Sequence, residues 1–239
     1  GAGCPREPES GVPHELAVQR RAQIDSLRYR LHFDLPADRL TPVAATETIR
    51  LHLAESGPLV LDFREGPTMV SSLSVNGENI SIHAVNEHIL IPKKYTRTGE
   101  NELCLRFTAG SQSLNRRDEF LYTLLVPDRA RTLFPCFDQP DLKANYTLSL
   151  SVPEEWTAIS NTYMTDEQTE SAGRKTIRFA ETEPLSTYLF SFVAGKFERT
   201  FARRGDRTIS MYHRETDPAK LSETPEIFRL VREARAWME

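Results

Sequence analysis

From Leu27 to Leu35 the chain alternates: Leu27, Tyr29, Leu31, Phe33 and Leu35 are apolar, while Arg28, Arg30, His32 and Asp34 between them are polar. Period two sustained over this length predicts a β-strand with one face in a core and the other in water. Ile49, Leu51 and Leu53 alternate in the same way with Thr48, Arg50 and His52, and the apolar runs LVLDF (59–63) and MVSSLSV (69–75) follow. Asn76-Gly77 tolerates positive φ and predicts a hairpin turn after the second run. Further strands are predicted at 79–84, 88–91, 102–108, 145–152, 174–180, 187–194 and 207–213, with turn residues between them. That spacing predicts a mainly β fold of antiparallel sheets, as a sandwich or two stacked sheets.

Two stretches depart from this pattern. His14 to Arg21, HELAVQRR, suits a short helix, but it falls within residues 1–20, which read as a disordered leader or tether. Near the other end Thr224 suits an N-cap, Pro225 the first helical position and Glu226 the positive end of the dipole. Ile227, Val231, Ala234 and Met238 then recur at helical spacing, with Phe228 and Trp237 widening the stripe. A stripe still running at Glu239 without a stop signal predicts a helix that is cut short and a chain that belongs to something longer.

The chain has 239 residues and a net charge of -4 from 30 basic and 34 acidic side chains, mixed along its length. Without a basic block, nucleic acid is excluded as a partner. No apolar run approaches the ~20 residues of a membrane-spanning helix. Cys4, Cys104 and Cys136 form no C-x-x-C pair. Cys104, in NELCLRF, is expected as a small core residue. Ala2-Gly3-Cys4 admits two readings, the end of a bacterial lipoprotein signal with Cys4 lipidated, or a cloning scar on a disordered leader.

Catalytic patterns are sparse. A zinc hydrolase helix needs His-Glu-x-x-His, so that two imidazoles face one metal and the carboxylate activates its water. His14-Glu15 begins that pattern, and Val18 ends it. The other histidines, His32, His52, His83, His88 and His213, are scattered and are expected at the solvated surface. There is no nucleophile elbow, Walker loop or G-x-G-x-x-G. Asp118-Glu119 and Glu154-Glu155 are adjacent pairs, which on a strand point to opposite faces and cannot share a site.

The segment Arg131 to Pro140, RTLFPCFDQP, continued by DLKANYTLSLSVPEEWTAISN, resembles the N-terminal domain of the M1 family of zinc aminopeptidases, whose hallmark is P-C-F-D-E-P-x-x-K-A. FAETEPLSTYLFSFVAGKFE, residues 179–198, is similar to a second family segment, in the same order and at about the same spacing. The resemblance implies a saddle-shaped antiparallel β domain over 21–214, and over 215–239 a linker and the start of the helix entering the chain's own C-terminal catalytic domain. Zinc, general base and transition-state tyrosine would lie in that following domain, so this chain would hold no metal and no catalytic residue. The family's Gln-x-Glu pair, which holds the substrate's free amine, aligns with Leu124 and Val126. Alkyl groups cannot pair with an ammonium, which transfers amine anchoring to the catalytic domain or to a neighbour such as Glu119. Tyr122, Leu124 and Val126 are then expected either as an apolar cleft wall for the peptide substrate's first side chain or as core.

Within the hallmark, Pro135 and Pro140 fix φ around a bend, and Asp138 is expected to accept backbone N–H groups. Cys136 has no neighbouring histidine and is expected to be buried rather than nucleophilic. A lipid on Cys4 would tether the protein to a bacterial cell envelope or periplasm; without it a cytoplasmic protein is expected. A non-catalytic relative that keeps the β scaffold for protein binding is the alternative reading, favoured by the loss of Gln-x-Glu.

Overall fold

The computed structural model describes residues 11–204 and 207–213, and side chains as far as Phe197. In chain order the elements are α1 (His14–Gln23), β1 (Ile24–Asp34), β2 (Ala44–Leu53), β3 (Leu59–Asp62), β4 (Val70–Val75), β5 (Glu78–Asn79), β6 (Ala84–Val85), β7 (His88–Ile91), β8 (Gly99–Thr108), β9 (Leu114–Arg116) and β10 (Phe120–Thr123). There follow β11 (Asn145–Pro153), β12 (Thr157–Ser160), β13 (Met164–Thr169), β14 (Arg174–Phe179), β15 (Phe192–Gly195), β16 (Glu198–Arg204) and β17 (Arg207–His213). Eight strands form one sheet in the order β13-β14-β11-β1-β2-β8-β4-β5. Smaller sheets have the orders β12-β15-β10-β9 and β3-β7-β6, and β16 pairs with β17.

The chain divides into two compact units, Gly1–Glu154 with Ala158–Ala194, and Glu155–Thr157 with Gly195–Glu239. The first contains the eight-stranded sheet; the hairpin of β16 and β17 belongs to the second.

In β1 the residues Leu27, Tyr29, Leu31 and Phe33 are buried and the polar residues between them are exposed or half-buried, as the alternation predicts. Tyr29 stacks on Tyr146 of β11 at 5.0 Å, Tyr146 on Phe190 at 4.9 Å, and Phe33 meets Phe192 at 5.2 Å between ring centroids. Aromatic rings therefore fill the space between the large sheet and the 187–192 segment, adding geometric preference to area burial. Asn76 (φ 52°) and Gly77 (φ 83°) make the predicted hairpin turn between β4 and β5.

The mainly β fold of antiparallel sheets is as expected, and several finer expectations are corrected. All ladders of the large sheet are antiparallel except β1 with β11, which run parallel from Arg28↔Asn145 to Asp34↔Ser151. Alternation does not encode strand direction, so the pattern could not show this. Helix α1 occupies residues that the leader reading left disordered, because Arg20 has an internal partner described below. Cys104 is half-buried on the outer face of β8, since Leu103 and Leu105 take the inner one. The 187–194 strand begins only at Phe192, after a 3₁₀ turn at Thr187–Leu189. Residues 1–10 and the C-terminal helix expected from Thr224 lie outside the described residues.

Candidate functional site

The hallmark segment is a buried corner clipped to the end of β3. Asp62 N–H donates to the Cys136 carbonyl at 2.7 Å and Cys136 N–H to the Asp62 carbonyl at 3.0 Å. Phe134 and Phe137 are fully buried; Phe134 meets Tyr29 and Phe190 edge-on, and Phe137 N–H donates to the Tyr29 hydroxyl at 2.9 Å. Burial pushes the Cys136 thiol well up, and the carboxylates of Asp138, Asp62 and Glu47 add to it against a smaller opposing effect of Arg20. A neutral, inaccessible thiol is a packing group, as expected, and not a nucleophile.

Two carboxylates converge beneath this corner. Asp62 accepts from both terminal nitrogens of Arg20, at 2.6 Å and 2.8 Å, from His88 Nδ1 at 2.8 Å, and from Asp138 N–H at 2.8 Å. An ionised carboxylate only accepts, so His88 carries its proton on Nδ1 in this contact. Burial alone would raise the pKa of Asp62; hydrogen bonds from His88 and Arg20, the Arg20 charge and the Asp138 amide outweigh it and hold the group below its ordinary value. Asp138 accepts from Thr187 Oγ1 at 2.7 Å, Arg131 N–H at 3.1 Å and an Arg131 guanidinium N–H at 3.2 Å. Phe137 lies under the Arg20 guanidinium at 5.4 Å, and Gln139 Nε2 donates to the Ala17 carbonyl at 3.0 Å.

The surface expectation for His88 is thus corrected, because its ring is enclosed against Asp62. Arg20 is no candidate in the sequence because it falls within the stretch read as a leader. One signal was available: Asp62 sits between Leu61 and Phe63 in an apolar strand, and a carboxylate at such a position needs a cation or several donors.

Tyr122 lies in β10, whereas Leu124 and Val126 follow its end. The alternation nevertheless continues past the strand: Leu121, Thr123 and Leu125 are buried, Tyr122 is half-buried, and Leu124 and Val126 are 48% and 45% exposed. Leu124 and Val126 are therefore not core in this chain. Tyr122 stacks on Phe120 at 6.3 Å, and Leu124 N–H is held by the Ser113 carbonyl at 2.9 Å. The peptide bond from Val126 to Pro127 is cis. Glu119 is exposed in the turn between β9 and β10. His14 and Val18 are exposed on α1, and Cys4 lies outside the described residues.

Among the described residues no group of three or more His, Cys, Asp or Glu is placed to hold a metal ion. Asp62, Asp138 and His88 come nearest to one, but the Arg20 guanidinium already stands where a cation would stand, and the carboxylate oxygens are taken by N–H and O–H donors. These residues do not fit zinc.

Residues 106–189 match the family model of the peptidase M1 N-terminal domain. The chain is 34% identical over 215 residues to an aminopeptidase N of Acetobacter pasteurianus, covering 86% of this chain and 58% of that protein. It is 31% identical over 148 residues to a probable M1 family aminopeptidase 2 of Encephalitozoon cuniculi, covering 57% of this chain and 17% of that protein. Among solved structures, an M1 zinc metallopeptidase from Deinococcus radiodurans superposes with TM-score 0.63 at 25% identity, over 80% of this chain and 47% of that one. Aminopeptidase A of Legionella pneumophila, solved with aspartic acid, superposes with TM-score 0.75 at 18% identity over 90% of this chain and 26% of that one, which speaks to fold alone. The clipped P-C-F-D corner lies inside residues 106–189, which match the peptidase M1 N-terminal domain, and the chain spans little more than half, or less, of the M1 aminopeptidases that it resembles.

Proposed function

We propose that this chain is the β domain of a zinc aminopeptidase that hydrolyses single residues from peptide N-termini. In that reading it shapes one wall of the cleft and contributes no catalytic group. The supporting observation is the 119–131 segment directly before the hallmark corner: it presents Tyr122, Leu124 and Val126 outward, while the side chains between them hold it to the core. An apolar edge of this kind can seat an alkyl or aromatic side chain by burying its surface, at about 25 cal/mol per Å². These alkyl and aromatic side chains offer nothing to an α-ammonium, so in this reading amine recognition falls to the catalytic domain or to a neighbour such as Glu119, and zinc and the activated water to the catalytic domain.

The test compares the natural full-length protein with this chain alone on aminoacyl chromogenic substrates. The full-length protein is expected to turn over and to lose activity with a chelator, and the isolated chain to stay at blank. Leu124→Ala in the full-length protein is expected to raise KM for substrates with large first residues about tenfold, with kcat nearly unchanged. Turnover by the isolated chain, or a full-length protein inert with zinc, would overturn the reading. The second outcome would favour a protein-binding relative, the reading suggested by alkyl chains at the Gln-x-Glu positions.

A further inference from the structure

Arg20 is the buried side chain of α1, while His14, Glu15, Val18 and Gln19 of the same helix are exposed. Leu16 and Ala17 are only half-buried and Gln23 Nε2 reaches the Pro58 carbonyl at the helix end, while two polar contacts join the helix to β3 and the corner: the Arg20 guanidinium on Asp62 and on the Val60 carbonyl, and the Gln139 amide on the Ala17 carbonyl. From Asp62 the contacts continue without a gap. Asp138 N–H donates to Asp62, Asp138 accepts from the Arg131 backbone and guanidinium, and Arg131 donates to the Asp128 carbonyl at 2.8 Å. Arg129 N–H closes on the Leu125 carbonyl at 2.7 Å, and Thr132 Oγ1 donates to the Arg129 carbonyl at 2.7 Å. The series ends in the loop that carries Leu124 and Val126.

We infer that Arg20 is a positioning residue for the 124–131 loop, and that α1 is a strap which fixes this loop through the Asp62–Asp138 carboxylate pair. The physical ground is charge balance. Asp62 and Asp138 are both buried and joined through one amide, and each faces one guanidinium, Arg20 and Arg131 respectively. Without Arg20, Asp62 loses two of its four donors and its cation, and a planar fork to a carboxylate has no geometric substitute among neutral side chains. The buried pair then shares a single cation, Arg131. Relief comes by moving Arg131 toward Asp62 or by opening the corner, and either displaces Asp128 to Arg131. Whether this alters substrate fit rests on the cleft-wall reading above, but the strap itself does not.

Native-state hydrogen exchange on the full chain tests the inference without any substitution. In sub-denaturing urea, the amides of α1 and of 125–133 are expected to exchange as one unit with a common urea dependence, ahead of β1, β2 and β8. In Arg20→Gln the 125–133 amides are expected to exchange faster by about a factor of ten or more, with the large sheet unchanged, and Arg20→Lys should restore part of the protection. If α1 opens in the unsubstituted protein while 125–133 keeps its protection, the strap is refuted, even should Arg20→Gln fail to fold. A folded Arg20→Gln with native exchange at 125–133 refutes it equally. Neither result depends on peptidase activity, so failure here is distinct from failure of the proposed function.

Discussion

Glu47 shows at a single position how a sequence pattern and a core can disagree. It points into the core from β2, opposite Leu31 of β1 and Leu105 of β8, and neither of its carboxyl oxygens has a hydrogen-bond partner among the described residues. Burial pushes its pKa well above the ordinary value of 4.5 and so favours the neutral acid in the folded state. A buried polar group without a partner costs about 1–3 kcal/mol, so Glu47→Leu is expected to stabilise the protein by that order. The gain should also depend on pH. A raised folded pKa means that the folded state holds a proton which the unfolded state has released, so the wild-type protein loses stability as pH rises above 4.5, at up to about 1.4 kcal/mol per unit. Urea midpoints of the two proteins should diverge from pH 4.5 upward until the folded carboxyl ionises, and parallel midpoints would show that the group is solvated. The corrected positions of His88 and Cys104 make a related point. The local pattern gives the side of the sheet, but a histidine beside a distant carboxylate is read only once Asp62 is seen to need a donor.

At the scale of elements, legibility followed the contrast between faces. β1, β2 and β8 pair one buried face with one polar face, so their alternation stands out in the sequence. β13, Met164–Thr169, is exposed throughout at the edge of the sheet, and its charged residues protect an open edge instead of marking a core. β9 and β10 are too short for alternation to register. The corner itself was readable from its prolines, but its tight contact with the 109–110 turn was not. A Cβ on Gly110 would lie 1.7 Å from the Thr132 carbonyl oxygen and 2.8 Å from its carbon, both backbone atoms fixed by the corner. Gly110→Ala is therefore expected to destabilise by about 3 kcal/mol or more, as an overpacked site without room to yield. Gly99→Ala is the control, since its Cβ would meet nothing within 4 Å and the positive φ of 91° is the only penalty; that change should cost roughly 1–2 kcal/mol. Denaturant midpoints decide the matter: equal losses at the two positions would mean that the corner moves freely from Gly110.

For the molecule as a whole, the division of labour proposed above makes a claim about metal. Where two buried carboxylates and a histidine gather among the described residues, the chain's own cation, Arg20, is already in place, and the carboxylate lone pairs are engaged by internal donors. For zinc to bind there it would have to expel a guanidinium held by two short hydrogen bonds and leave it without a carboxylate, a loss of about 3–5 kcal/mol on breaking a buried pair. A ligand that binds only the folded state raises its stability by RT ln(1 + [L]/Kd), about 2.7 kcal/mol at one hundred times Kd. In a domain of this size that corresponds to a rise of roughly 5–10 °C in Tm. The chain is accordingly expected to show the same Tm in chelator and in micromolar zinc. A Tm that climbs logarithmically with zinc would place a metal site within this domain and overturn the assignment of all the chemistry to a following one. The full-length protein should behave oppositely, with zinc stabilising the catalytic domain's transition while that of the β domain stays fixed. Two transitions of which one responds to metal would thus separate scaffold from catalyst in a single calorimetric scan.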